Sequence, residues 1–342
     1  MDNQYLDRLV SKAVGKSNIA GAVINVSSGD GMMDLISSTG NFQNNSKYYV
    51  ASINKIFMSS LILRLATNGN LKLDDKFADF VSDDVISNLH VLNGRDYSRK
   101  ITLKHLISQT SGLPDYIADK QINGHTVIED LEAGLDPAWP LERVIEEVKK
   151  MKPHFPPGEP GKAKYIDTNH QLLELVVEKV TGQANNQVLN NLFKDLGMHD
   201  TYVASDINDK SYVPVRYKNK KIGISNFISS TKNDIISTAS DQMIFLKAFF
   251  NGYFWPNEKL VELEKWNKVF FPFEYGIGLQ KFSLPAVFTM FRRMPPLLGH
   301  AGSVGSVAFY VPEKDLYFTG TINQQAKPSL IYQIMLKIIN NI

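Results

Sequence analysis

Residues 48–66, YYVASINKIFMSSLILRLA, place Ser52 and Lys55 three positions apart at the head of an apolar run with helical patterning. On a helix, positions i and i+3 share a face, so the serine hydroxyl and the lysine ammonium can meet. A lysine among apolar neighbours such as Ile56 and Phe57 has a reason to give up its proton and to accept one from the serine. At ordinary residue frequencies an S-x-x-K arises by chance roughly once in a chain of this length. It occurs here a second time, as SSTK at 229–232. That copy sits in a polar loop with no helical run after it, so Ser52 and Lys55 carry the reading.

The rest of the composition narrows the field. The chain has 342 residues, more than one typical core, which predicts two domains or one large domain with an insertion. Hydrophobic content of 43% and charged content of 21% are ordinary for a globular protein with a sizeable core. A net charge of +2 supplies no field to draw in nucleic acid or an acidic membrane. The densest basic run, RYKNKK at 216–221, reads as a solvated hairpin. There are no cysteines, which excludes disulfides and thiolate chemistry. The amino terminus, MDNQYLDRLVSKAVGKS, is a charged amphipathic helix and not a signal peptide, and no apolar stretch reaches the ~20 residues of a bilayer span. As written the chain reads as cytoplasmic; with a leader removed it would be periplasmic or secreted.

Along the chain, IAGAVINVSS and GMMDLISSTG read as a β-hairpin around GDG. From 75 to about 224, helical patterns such as ITLKHLISQ, LERVIEEVKKM and NHQLLELVVEKVTG alternate with loops such as HFPPGEPGK. Beyond the helix STASDQMIFLKAFFNG come strand patterns in YGIGLQKFSL, AVFTMFRRM, SVAFYVP and DLYFTGTIN, and then the amphipathic helix KPSLIYQIMLKIINNI. The expected fold class is mixed α/β (α+β): an antiparallel sheet flanked by terminal helices, with a largely helical second region. The expected division is an α/β domain built from 1–74 and 225–342, with the mainly helical region at 75–224.

Four further stretches follow ASINKIF in fixed order: HLISQTSGLP at 105–114, YIDTNHQLLELVVEKVTG at 165–182, YGIG at 275–278, and GHAGSVGSVAFYVPEKDLYFTGTIN at 299–323. Together they resemble the serine β-lactamase and penicillin-recognising superfamily, on the side of class C β-lactamases, D-alanyl-D-alanine peptidases and the family VIII-type esterases that share their fold. The resemblance spans about residues 5–340 and implies a serine hydrolase that needs no cofactor or metal. By the resemblance, Ser52 is the acyl-accepting nucleophile, Lys55 its partner, and Tyr165 the tyrosine of a Y-x-N element. A phenol beside an ammonium group is expected to have a lowered pKa and to serve as base, then as acid.

Two departures bear on the substrate. The superfamily's K-T-G triplet, which holds a substrate carboxylate, is here His300-Ala301-Gly302, and the Y-x-N asparagine is Asp167. Histidine is largely neutral near pH 7, alanine donates nothing, and aspartate adds negative charge. The expected substrate is therefore a small ester, amide or peptide without a carboxylate near the scissile bond, with a D-amino-acid peptidase or a β-lactamase as the alternative. A catalytically inactive ligand-binding module is the alternative of another class. Gly302 permits close approach of the substrate, and by the resemblance the N–H groups of Ser303 and Ser52 are the expected oxyanion hole. AGSVG at 301–305 also resembles a hydrolase nucleophile elbow, but that elbow needs a helix after the serine and VAFYVP reads as a strand. The other histidines and the acidic runs lack metal-ligand spacing.

Overall fold

GAVINVSS and DLISSTG are rich in β-branched residues and serine, and they pair antiparallel over Gly21–Ser28 and Asp34–Gly40, with Gly21 opposite Gly40 and Ser27 opposite Asp34. The computed structural model describes residues 1–17, 19–285, 287 and 294–342. Within them, the hairpin joins strands from the far end of the sequence in one eight-stranded antiparallel sheet. Its order is Asn267–Phe270, Phe273–Tyr275, Gln280–Phe282, Leu297–Gly302, Ser306–Val311, Leu316–Thr321, Gly21–Ser28, Asp34–Gly40. The join is the pairing of Gly21–Ser28 with Leu316–Thr321, where Val23 faces Thr321.

Both faces of the sheet are covered, and alternate side chains serve each. The terminal helices Asn3–Ser17 and Leu330–Ile339 bury Leu6, Val10, Ile334 and Ile338 against Val26 and Phe318. The other face meets the helix Asn54–Thr67 and the helix Ala239–Phe250, whose residues belong to a second and larger core that runs on through Leu172, Leu173 and Trp139. The fold is the antiparallel sheet flanked by terminal helices that the sequence predicts.

Three local features differ from the sequence reading or lie outside it. YGIGLQKFSL is not one strand but a hairpin, with Tyr275 opposite Gln280 and the bend at Gly276–Leu279. Gly278 has φ +71 and a Cβ there would stand 2.7 Å from the Cβ of Ser59, so glycine lets the bend press against the Asn54–Thr67 helix. Lys47–Tyr49 belongs to a second, four-stranded sheet with Tyr202–Val203, Tyr212–Val213 and Ile235–Ser237. Strands of two or three residues are too short to show alternation in sequence. AVFTMFRRM lies, apart from Val287 and Met294, outside the described residues. RYKNKK does form a hairpin, with Arg216 opposite Lys221.

The turn that carries Ser52 is clamped between the two sheets. The Val50 N–H donates to Ile235 O at 3.1 Å, and Val50 O accepts from Ser306 Oγ at 2.7 Å. Gly302 lies against the same turn: a Cβ there would stand 2.6 Å from Val50 O and 2.2 Å from Ser306 Oγ. Gly302→Ala is therefore expected to break the Ser306 clamp and lower stability by about 1–3 kcal/mol. A variant with the wild-type melting temperature would contradict this packing.

Candidate active site

Ser52 sits in the 3-10 turn Ala51–Ile53, two residues ahead of the first residue of the helix Asn54–Thr67. Its neighbour Ala51 has φ +51, a left-handed conformation that costs an L-residue roughly 1–2 kcal/mol. The Val50 clamp holds that strain in place. Lys55 follows within the first helical turn and is buried; its Nζ donates to Ser52 Oγ at 3.1 Å.

The same ammonium forms an ion pair with Asp167, the first residue of the helix Asp167–Thr181. Only 4% of the Lys55 side chain and 17% of the Asp167 side chain is exposed, so the pair is screened little by water. Asp167 therefore does not stand as a bare negative charge facing substrate. Its charge is matched by Lys55, and the ammonium is in turn unavailable as a free cation.

Tyr165 lies two residues before Asp167 with its hydroxyl hydrogen-bonded to Ser52 and its ring 5.1 Å from Lys55 Nζ. The direction of its pKa shift is opposite to the expectation. Burial raises it well above the ordinary phenol value, and the Asp167 carboxylate raises it further. The carboxylate of Asp167, and not the ammonium it pairs with, is the charge that acts on this phenol. Tyr165 keeps its proton at neutral pH.

His300 is fully buried and does not line the cavity at Ser52; Ala301 is half-buried and does not line it either. The His300 Nδ1 lies 2.9 Å from Ala301 O, and since a carbonyl only accepts, Nδ1 carries the proton. The Nε2 then accepts from the Tyr275 hydroxyl at 3.2 Å. Burial, followed by the Lys55 charge, holds the imidazole pKa down to about 3, so His300 is neutral. It packs behind Tyr165, ring centroids 6.1 Å apart, in place of offering a cation to substrate. Gly302 approaches the Ser52 turn as described, and Ser303 lines the cavity beside Ser52. The strand Ser306–Val311 follows Ser303, which rules out the elbow. Ser229 lies on the short helix Ser225–Ser230 and does not line the cavity.

The cavity has a volume of about 380 Å³. Its walls include Ile117, Ile128, Leu131, Ile222 and Phe227, and Phe270 stands at Tyr165 with its ring edge-on at 5.9 Å. Two carboxylates that sequence reading missed also line it, Asp115 and Asp234. Asp115 directly follows the quoted HLISQTSGLP, and Asp234 ends the stretch begun by the second S-x-x-K; neither position has a spacing rule that marks it. Burial raises Asp115 well above the carboxylate range, with the charge of Asp167 adding to it. Burial lifts Asp234 to about 6 against hydrogen bonds donated by Thr231 and Tyr49.

The model of the Beta-lactamase family matches residues 6–337, and the chain belongs to that family. The putative penicillin-binding protein PbpX of Bacillus subtilis is 26% identical over 248 residues, 69% of this chain and 54% of the relative. The chain spans about half the length of the curated relatives it matches. Among solved structures, a D-stereospecific amidohydrolase from Streptomyces sp. superposes with a TM-score of 0.76 at 24% identity, covering 95% of each chain. EstCE1, a hydrolase with promiscuous acyltransferase activity, superposes at 0.78 with 15% identity, covering 97% of this chain and 96% of that one. These likenesses show the β-lactamase/transpeptidase-like fold. Among the described residues, no helix is long and apolar enough to cross a membrane.

The Asp234 shift makes a prediction about pH. Its folded pKa of about 6 lies above the ordinary 3.8, so the folded state holds this proton more tightly than the unfolded chain does. The associated stability is present below about pH 4 and is lost as pH rises through about 6, on the order of 3 kcal/mol in all. Melting curves of wild type and Asp234→Asn should therefore converge or cross in favour of the variant over that window. Two stability profiles that stay parallel from about pH 4 to 7 would show that Asp234 does not titrate there.

Proposed function

We propose that this protein is a serine hydrolase that works through an acyl-enzyme at Ser52, on esters or amides with no carboxylate near the scissile bond. The observation that carries the reading is Lys55 Nζ at 3.1 Å from Ser52 Oγ, in a cavity that Asp115, Asp167 and Asp234 also line.

The proton has a complete route. Within the ion pair, Lys55 passes a proton to Asp167 and becomes an amine, which then takes the proton of Ser52 as its Oγ bonds to the substrate carbonyl carbon. The N–H groups of Ser52 and Ser303 receive the negative charge that develops on the carbonyl oxygen. Tyr165, which keeps its proton in the resting site, gives it to the departing alkoxide or amine as the C–O or C–N bond breaks. The phenolate regains a proton from the Lys55–Asp167 pair, which holds the one taken from Ser52. Water then repeats the sequence on the acyl-enzyme and restores Ser52.

The charge balance supports the substrate class. The one ammonium is already paired with Asp167, burial favours the neutral acid at Asp115, Asp234 is ionised above about pH 6, and neither His300 nor Ala301 supplies the cation and hydroxyl of a K-T-G triplet. A substrate carboxylate would enter this cavity unpaired, at a cost of several kcal/mol if fully desolvated. Neutral and amine-bearing substrates escape that cost. Amides are in keeping with the likeness to the D-stereospecific amidohydrolase from Streptomyces sp., and the apolar walls suit a hydrophobic acyl group.

Three measurements check the reading. Ser52→Ala should abolish hydrolysis of activated short-chain esters, whereas Ser229→Ala and Ser303→Ala keep most of it; normal turnover by Ser52→Ala would end the proposal. Lys55→Met and Tyr165→Phe should each be severe, and the double variant little worse than either, because groups acting as one unit lose activity non-additively. Losses that multiply would separate the two roles. For substrate class, a neutral ester should exceed its carboxylate-bearing counterpart in kcat/KM by roughly tenfold or more, as expected for a charge-assisted contact withheld. Cleavage of a cephalosporin as fast as of the neutral ester would contradict the charge argument.

A further inference from the structure

Tyr165 lies in the irregular segment between Gly161 and the helix that starts at Asp167, so no secondary structure holds its phenol in place. The two backbone N–H groups that flank it end on one residue. Lys164 N–H donates to the carbonyl of Gln109 at 3.0 Å, and Ile166 N–H donates to the side-chain Oε1 of Gln109 at 2.9 Å. The same Oε1 accepts from Asn169 Nδ2 at 2.7 Å, which uses both of its lone pairs. Asn169 is fixed in turn by Ser111 Oγ at 2.5 Å.

Gln109 is fully buried and has φ +63, a left-handed conformation in which glutamine is unusual. The geometry explains the strain. A left-handed residue turns its own carbonyl and its side chain toward the same neighbouring segment, and the two oxygens then straddle Tyr165. Glycine or asparagine adopts this φ more cheaply, but glycine has no second oxygen and asparagine falls one methylene short of Ile166 N–H.

We propose that Gln109 is a positioning residue that sets the Tyr165 hydroxyl against Ser52. It rests on the reading of Tyr165 as a proton-transfer group. Gln109 does not line the cavity; besides the two flanks of Tyr165 its side chain hydrogen-bonds Tyr275, whose ring packs edge-on against that of Tyr165 at 6.1 Å, so both of its routes to the site lead to Tyr165.

The test compares Gln109→Met, which keeps length and removes the acceptor; Gln109→Glu, which keeps an oxygen with two lone pairs; and Gln109→Asn, which suits the left-handed turn and withdraws the oxygen. Each is assayed for kcat and KM on a p-nitrophenyl ester, with and without Tyr165→Phe, after its melting curve shows it folded. The expected result is a roughly ten- to hundredfold loss of kcat in Met and Asn with KM little changed, as for a displaced reacting group. Glu should restore most of the loss. In the Tyr165→Phe background all three should change kcat by less than about twofold, since no hydroxyl remains to place. An equal loss in that background, unchanged kcat in folded Gln109→Met or Gln109→Asn, or no restoration by Glu would overturn the proposal. If Tyr165→Phe alone leaves kcat unchanged, the role of Tyr165 fails first and is seen to fail separately, and the positioning role falls with it.

Discussion

The buried ion pair between Lys55 and Asp167 is the constraint on which the rest of the site depends. It ties the start of the helix Asn54–Thr67 to the start of the helix Asp167–Thr181 and so joins the segments bearing Ser52 and Tyr165. Removing one partner of a buried pair leaves an uncompensated charge and typically costs about 3–5 kcal/mol. The pair also fixes the electrostatics. It matches the ammonium that a substrate carboxylate would otherwise find free, and it sets beside Tyr165 a carboxylate whose charge raises the phenol's pKa.

Around this pair the fold supplies rigidity from three directions. Ser306 and Ile235 clamp Val50 from the two sheets, Gly302 and Gly278 let backbone pack where a side chain would intrude, and the His300–Tyr275 hydrogen bond backs the ring of Tyr165. A strained Ala51 sits at the centre of the clamp. Strain of this kind persists only where the surroundings over-determine it, and here the surroundings are the sheets themselves.

Much of this was legible in the sequence, and the remainder was not for physical reasons. The amino-terminal hairpin, the terminal helices and the strands around 306–321 show themselves by residue type and period, and Ser52, Lys55 and Tyr165 stand out by motif. The hairpin at Gly276–Leu279 was hidden because two glycines in an apolar run read as a strand until the helix they press against is known. The protonation of Tyr165 was misread because a spacing of two residues says nothing of whether Asp167 turns toward Lys55. Asp115 and Asp234 were missed because each is a lone carboxylate in its own stretch; only the fold brings residues 115, 167 and 234 around one cavity. Gln109 sits inside a quoted motif, yet its left-handed φ and its bonds to residues 164 and 166 have no local signature.

The central claim is that Ser52 is a nucleophile activated by the Lys55 ion pair. It is tested most directly by treating the protein with a fluorophosphonate and mapping the adduct by peptide mass spectrometry. A single adduct on the peptide that contains Ser52, formed much more slowly in a folded Lys55→Met variant, is the predicted result. An unmodified protein, an adduct on Ser229 or Ser303, or labelling of Ser52 at the same rate without Lys55 would contradict it.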